Sequence, residues 1–189
     1  MKRAVLVLLL ILIAATPAAA YDPDRVWAKG AIMGSFEGGY GHQFNLENKR
    51  TFSDIEFLEI ATRWSILPMG QTDKGGVFHG ALETGLEPIF LVYTNPKNAY
   101  YGGLALHAKY HFLSLGRFVP YAELGAGAGG TNLKVTEIKS EFSFLLLGGG
   151  GVGYFVTDNI MLYGGYRWTH NSNGNTARPN RGWEANTAI

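Results

Sequence analysis

Large apolar side chains alternate with small or polar ones along most of the chain. In residues 76–88, Phe78, Gly80, Leu82, Thr84 and Leu86 share one register, and His79, Ala81, Glu83, Gly85 and Glu87 share the other. A period of two predicts a strand. A helix here would set Glu83 and Glu87 one turn apart beside Gly80, with poor propensity. The pattern recurs over 58–66 (Leu58, Ile60, Thr62, Trp64, Ile66 against Glu59, Ala61, Arg63, Ser65) and over 100–112 (Leu104, Leu106, Ala108, Tyr110, Phe112 against Ala105, His107, Lys109, His111). It returns over 118–128 and 160–168. Less regular strands are predicted at Trp27–Phe36, at Phe142–Phe155 and, as a short last one, at Glu184–Ile189, which brings the total to about eight.

Turn-forming runs separate these strands: Pro68 to Gly76, Thr94 to Asn98, Ser114 to Arg117 and Thr157-Asp158-Asn159. Connections this short predict antiparallel neighbours. The polar faces mix glycine and alanine with Glu59, Arg63, Glu83, Glu87, His107, Lys109, Glu123 and Arg167, which suits a narrow lumen where charges pair. Aromatic residues gather near strand ends, as in interfacial girdles. The pattern predicts an all-β protein, an eight-stranded antiparallel transmembrane β-barrel. Eight strands leave room for side chains and no open pore.

Composition agrees. Hydrophobic residues make up 47% of the chain and charged ones only 16%, against about a quarter in soluble domains. The absence of cysteine excludes disulfides, thiolate metal sites and cysteine nucleophiles. Residues 1–20 open with Lys2 and Arg3, continue through an apolar run and close on Ala18 and Ala20, the small residues a leader peptidase requires. They are predicted to be a secretory signal peptide, leaving residues 21–189 as one outer-membrane barrel domain. With the leader gone, the 16 basic residues fall to 14 against 15 acidic ones. No basic excess remains to neutralise phosphates, so nucleic acid is not an expected partner.

Two stretches fit G-x-G-x-x-G, Gly125/Gly127/Gly130 and Gly148/Gly150/Gly153, but neither opens a helix and neither can cradle a phosphate in the usual way. They read as thin places in barrel strands. His107 and His111 share a strand face about 13 Å apart, too far for one metal. No cofactor or metal is expected.

The segment 166–189 carries more chemistry. His170 and Ser172 are two apart and face the same side of a strand, about 6.7 Å apart at the backbone. A serine needs such a base to become a nucleophile. Their register contains Ile160, Leu162, Tyr166 and Trp168, the lipid-facing row, so the pair is predicted on the outside of the barrel. A polar pair there is costly and points to function. Asn173 offers an amide to an oxyanion. Glu184 begins the returning strand, where it can hold the imidazole in one tautomer. The plainer alternative makes His170, Ser172 and Glu184 ordinary polar residues at a strand mouth.

The run His170-Asn171-Ser172-Asn173, followed by Asn180-x-Gly182 and Glu184, resembles the PagL family of lipid A 3-O-deacylases. The resemblance implies an outer-membrane barrel with a Ser-His-Glu triad on its outer surface. That triad would hydrolyse the ester-linked acyl chain at the 3 position of lipid A, within lipopolysaccharide and surrounded by outer-membrane lipid. Carried over to this chain, Ser172 is the nucleophile, His170 the base, Glu184 the orienting acid and Asn173 an oxyanion donor. In one respect the chain departs from the pattern, because only five residues follow Glu184 and the last strand is expected to be curtailed. The competing expectation is a non-enzymatic small barrel with a structural or adhesive role.

Overall fold

The computed structural model describes residues 22–44 and 53–189. The expected leader, residues 1–20, lies outside the described residues. The elements are a short helix α1 (Pro23–Val26) and strands β1 (Ile32–Phe44), β2 (Glu56–Ile66), β3 (Gln71–Thr72), β4 (Gly80–Asn95), β5 (Ala99–Phe112), β6 (Phe118–Thr131), β7 (Phe142–Thr157), β8 (Ile160–Ser172) and β9 (Trp183–Ala188). Eight of the strands form an antiparallel ring in the order β1, β2, β4, β5, β6, β7, β8, β9 and back to β1. The two-residue β3 only extends the edge of β4. No helix among the described residues is long and apolar enough to cross a membrane; the strands do the crossing.

The first and third expected strands are displaced. β1 starts at Ile32, not Trp27, because Asp22 caps α1 by accepting from the Asp24 and Arg25 amides and Pro23 sits in its first turn. Trp27 is then buried at the barrel mouth. The strand expected over 76–88 begins at Gly80 and runs on to Asn95. Pro88 does not stop it, because the β2–β4 pairing skips Glu87 and Pro88, where the missing N–H falls, while β5 stays in register through Leu104.

The alternation sorts side chains as expected. Leu58, Ile60, Trp64, Leu104, Leu106, Leu124, Ile160 and Leu162 are exposed on the outer wall. The lumen is filled in three layers. At one end Phe57, Tyr93, Tyr101, Leu145 and Trp183 pack with Leu133, Val135 and Ile138 from the 132–141 connection. At the other, Trp27, Leu67, Leu113, Val119 and Phe155 form a second apolar plug.

A charged belt lies between the plugs. The Arg167 guanidinium reaches Glu37 (2.6 Å), Glu87 (3.1 Å), Glu123 (2.8 Å) and, closest, Glu59. Arg63 pairs with Glu87 and Glu123, and Lys109 with Glu123 at 3.2 Å. Glu37, Glu59 and Glu87 bring oxygens within 4.8 Å of one another, and Arg167 already compensates all three. The network ties β1, β2, β4, β5, β6 and β8 together across the middle of the lumen.

β9 is short but closes the ring. It pairs with β8 from Tyr166 to Asn171 and with β1 from Tyr40 to Phe44, and Ile189 exchanges backbone hydrogen bonds with Gly165 (3.0 Å each way). Below Ile189 the seam widens into a cavity of about 400 Å³ that lies between Met33 of β1 and Met161 of β8 and reaches Arg63, Glu83, Lys109 and His111 inside the barrel. Side chains bridge it in place of a backbone ladder: Tyr163 donates to Glu37 (3.1 Å) and Arg25 to Asn159 (3.3 Å).

Candidate active site

β8 ends with Trp168, His170 and Ser172 on the outer wall and Arg167, Thr169 and Asn171 buried inside. The connections 96–98, 132–141 and 173–182 lie at this end of the barrel, and 67–79, 113–117 and 158–159 lie at the opposite end.

Register brings the expected acid to the expected base. His170 on β8 is the direct cross-strand partner of Glu184 on β9. The imidazole Nδ1–H donates to Glu184 Oε1 at 2.9 Å, with side chains 24% and 17% exposed. This contact fixes the tautomer and leaves the Nε2 lone pair free to accept a proton. The imidazole also stacks on Trp168, with ring centroids 6.0 Å apart and planes 19° apart. Two neighbours therefore hold the ring.

Ser172 lies next along the same row, opposite Phe144, and Leu146 lies opposite His170. These apolar partners, with the edge-on Phe142–Phe144 pair, give the site an acyl-compatible flank. Serine and histidine converge at Gly182. A β-carbon on that residue would stand 3.1 Å from His170 Cε1 and 3.3 Å from Ser172 Cβ. Gly182 has φ +68°, and the same β-carbon would be 2.7 Å from the Asn171 carbonyl, so only glycine fits. The Ser172 hydroxyl makes no hydrogen bond to the imidazole here. Such contacts are often loose without substrate and tighten in the reacting complex.

Asn173, the expected oxyanion donor, has a buried side chain whose Nδ2 donates to the carbonyls of Ala177 (2.8 Å) and Pro179 (3.4 Å). Its Oδ1 accepts from the Asn175 amide, its carbonyl accepts from the Thr176 hydroxyl, and its backbone N–H donates to Asn180 Oδ1 at 2.8 Å. Strand β8 has ended by this point, so the period-two extrapolation no longer predicts direction. Asn173 and Asn180 together fold the 173–182 loop against the site. Of that pair, Asn180 stood in the motif without an assigned role.

Lipid-facing strands, a filled lumen and an imidazole–carboxylate pair on the outer wall define a small outer-membrane barrel with hydrolase-like chemistry on its exterior. A sequence model of the family described as PagL, lipid A 3-O-deacylase, matches residues 71–189. That is more than half of the chain, and the chain belongs to the PagL family. Among solved structures it is similar to the crystal structure of the outer membrane enzyme PagL, with 17% identity, a TM-score of 0.61 and coverage of 82% of this chain and 96% of that one. At this identity the likeness speaks for the fold. No curated protein matches the chain.

Proposed function

We propose that this protein is a lipid A 3-O-deacylase, a serine esterase that removes the acyl chain esterified at the 3 position of lipid A in the outer leaflet. The observation that carries the reading is the 2.9 Å contact between His170 Nδ1 and Glu184, on the lipid-facing wall beside Ser172. A metal-free triad needs a base of fixed tautomer, a hydroxyl on the same face and an apolar bed for the acyl chain. The residues present fit all three requirements.

His170 Nε2 takes the proton of Ser172 while Oγ attacks the acyl carbonyl. In this reading the oxyanion donors come from the 173–182 loop, whose fold Asn173 holds. Collapse breaks the carbonyl–sugar oxygen bond, and the imidazolium gives its proton to the departing sugar oxygen, which leaves as the 3-hydroxyl. Water, deprotonated by His170, then cleaves the acyl-serine ester and releases a 3-hydroxy fatty acid. Glu184 stabilises the imidazolium in both halves. Because the site faces lipid, the substrate need not leave the membrane. The leader at 1–20 belongs to the same reading as the export signal.

The test is expression of the full chain in bacteria that make unmodified lipid A, followed by mass spectrometry. Loss of one hydroxyacyl group, assigned to the 3 position by fragmentation, is the expected result. Unaltered lipid A beside a folded barrel would falsify the activity and favour the non-enzymatic alternative.

A further inference from the structure

The 132–141 connection holds a glutamate that the chemistry above does not use. Glu137 is fully buried, and its carboxylate accepts four hydrogen bonds from three chain segments. Oε1 takes Gln43 Nε2 (3.1 Å) and the Ser53 amide (2.8 Å); Oε2 takes the Ser53 hydroxyl (2.7 Å) and the Thr136 hydroxyl (3.0 Å). Gln43 in turn accepts from the Ile55 amide at 2.9 Å. The carboxylate therefore joins the end of β1 and the approach to β2 to the 132–141 cap.

The same residue reaches the site through its backbone. The Glu137 carbonyl accepts from the Arg181 amide at 2.9 Å, and Ile138 forms a β-bridge with Asn180. Asn180 is locked to Asn173, Gly182 lies against His170 and Ser172, and Glu184 is two residues further on. Residues 180–184 are thus clamped between the cap on one side and β8 on the other. Apolar packing of Leu133, Val135 and Ile138 already secures the cap to the lumen. A buried carboxylate adds little net stability, but it fixes position in a way that apolar contacts cannot.

We propose that Glu137 is a positioning residue for the esterase site, setting the register of residues 180–184 and so the placement of Glu184 and Gly182 against His170 and Ser172. The inference rests on the deacylase reading given above. Small misplacements of a reacting group cost about a hundredfold in rate, and a positioning residue two steps removed is expected to cost less.

The experiment measures kcat and KM on lipid A in mixed micelles, together with the rate of Ser172 labelling by a fluorophosphonate. For Glu137→Ala, kcat and labelling rate should fall about tenfold with KM within about twofold. Glu137→Gln should stay within about threefold of the wild type, because an amide can accept at Oε1 and donate to hydroxyls at the other position. If Glu137→Ala fails to fold, the pair Ser53→Ala with Thr136→Val decides, with an expected loss of about threefold. Folded variants with wild-type kcat and labelling overturn the inference alone. A wild type that neither labels nor deacylates overturns the esterase reading, and this inference with it.

Discussion

His170 and Glu184 are paired twice, once as cross-strand neighbours in the β8–β9 ladder and once through the Nδ1–Oε1 hydrogen bond. The sheet register itself sets the distance between base and carboxylate. Replacing Glu184 with Gln keeps the shape and removes the charge. In a serine triad this step costs about 10³–10⁴ in kcat. Steady-state hydrolysis of lipid A by Glu184→Gln should fall into that range without loss of the folded barrel. A fall of less than about tenfold would remove Glu184 from the triad.

Ser172 is part-buried on the outer wall and contributes little to packing. Ser172→Ala should abolish deacylation and leave stability within about 0.5 kcal/mol of the wild type. Heat-modifiable mobility on gels reports the fold, and mass spectrometry of lipid A reports the activity. Retained deacylation would exclude Ser172 as nucleophile.

Arg167 shares β8 with His170 but points inward to four glutamates. Arg167→Met strands buried carboxylates and should cost about 3–5 kcal/mol. Arg167→Lys should recover only part, since an ammonium cannot fork toward several carboxylates. Urea unfolding in vesicles measures both.

Burial pushes the Glu137 carboxyl upward, but hydrogen bonds from Ser53 and Gln43 outweigh it and hold the group below its ordinary value. A depressed carboxyl contributes stability above its unfolded pKa of about 4.3. That contribution is lost as pH falls through the lower folded value. Protection factors in residues 132–141, taken relative to the intrinsic exchange rate at each pH, should therefore be high at neutral pH and fall below about pH 4, in a barrel whose strands remain protected. Glu137→Gln should flatten this response.

The barrel wall is legible in the sequence. Leu58, Leu104, Leu124 and Leu162 alternate with Glu59, Ala105, Glu123 and Tyr163, and that alternation alone separates lipid from lumen. The shared outer-wall position of His170, Ser172 and Glu184 is legible because two lie on one strand face and the third on its hairpin partner. The pattern was weakest where glycine dilutes it: in β1, Gly34, Gly38, Gly39 and Gly41 hide the register, and the strand's start was read five residues early. Asn173 pointed elsewhere because strand periodicity ends at Ser172. Glu137 left no local signal at all, since Gln43 and Ser53 are distant in sequence and only barrel closure brings them near.

Two apolar plugs and a charged belt occupy the lumen, and the His170–Glu184 pair stands on the flank, where it meets lipid. Collisions between such a catalyst and its lipids are counted per unit area, not per unit volume. Turnover should then respond to how crowded and how fluid the leaflet is, and diluting the lipid with inert amphiphile should slow the enzyme even when bulk amounts stay fixed.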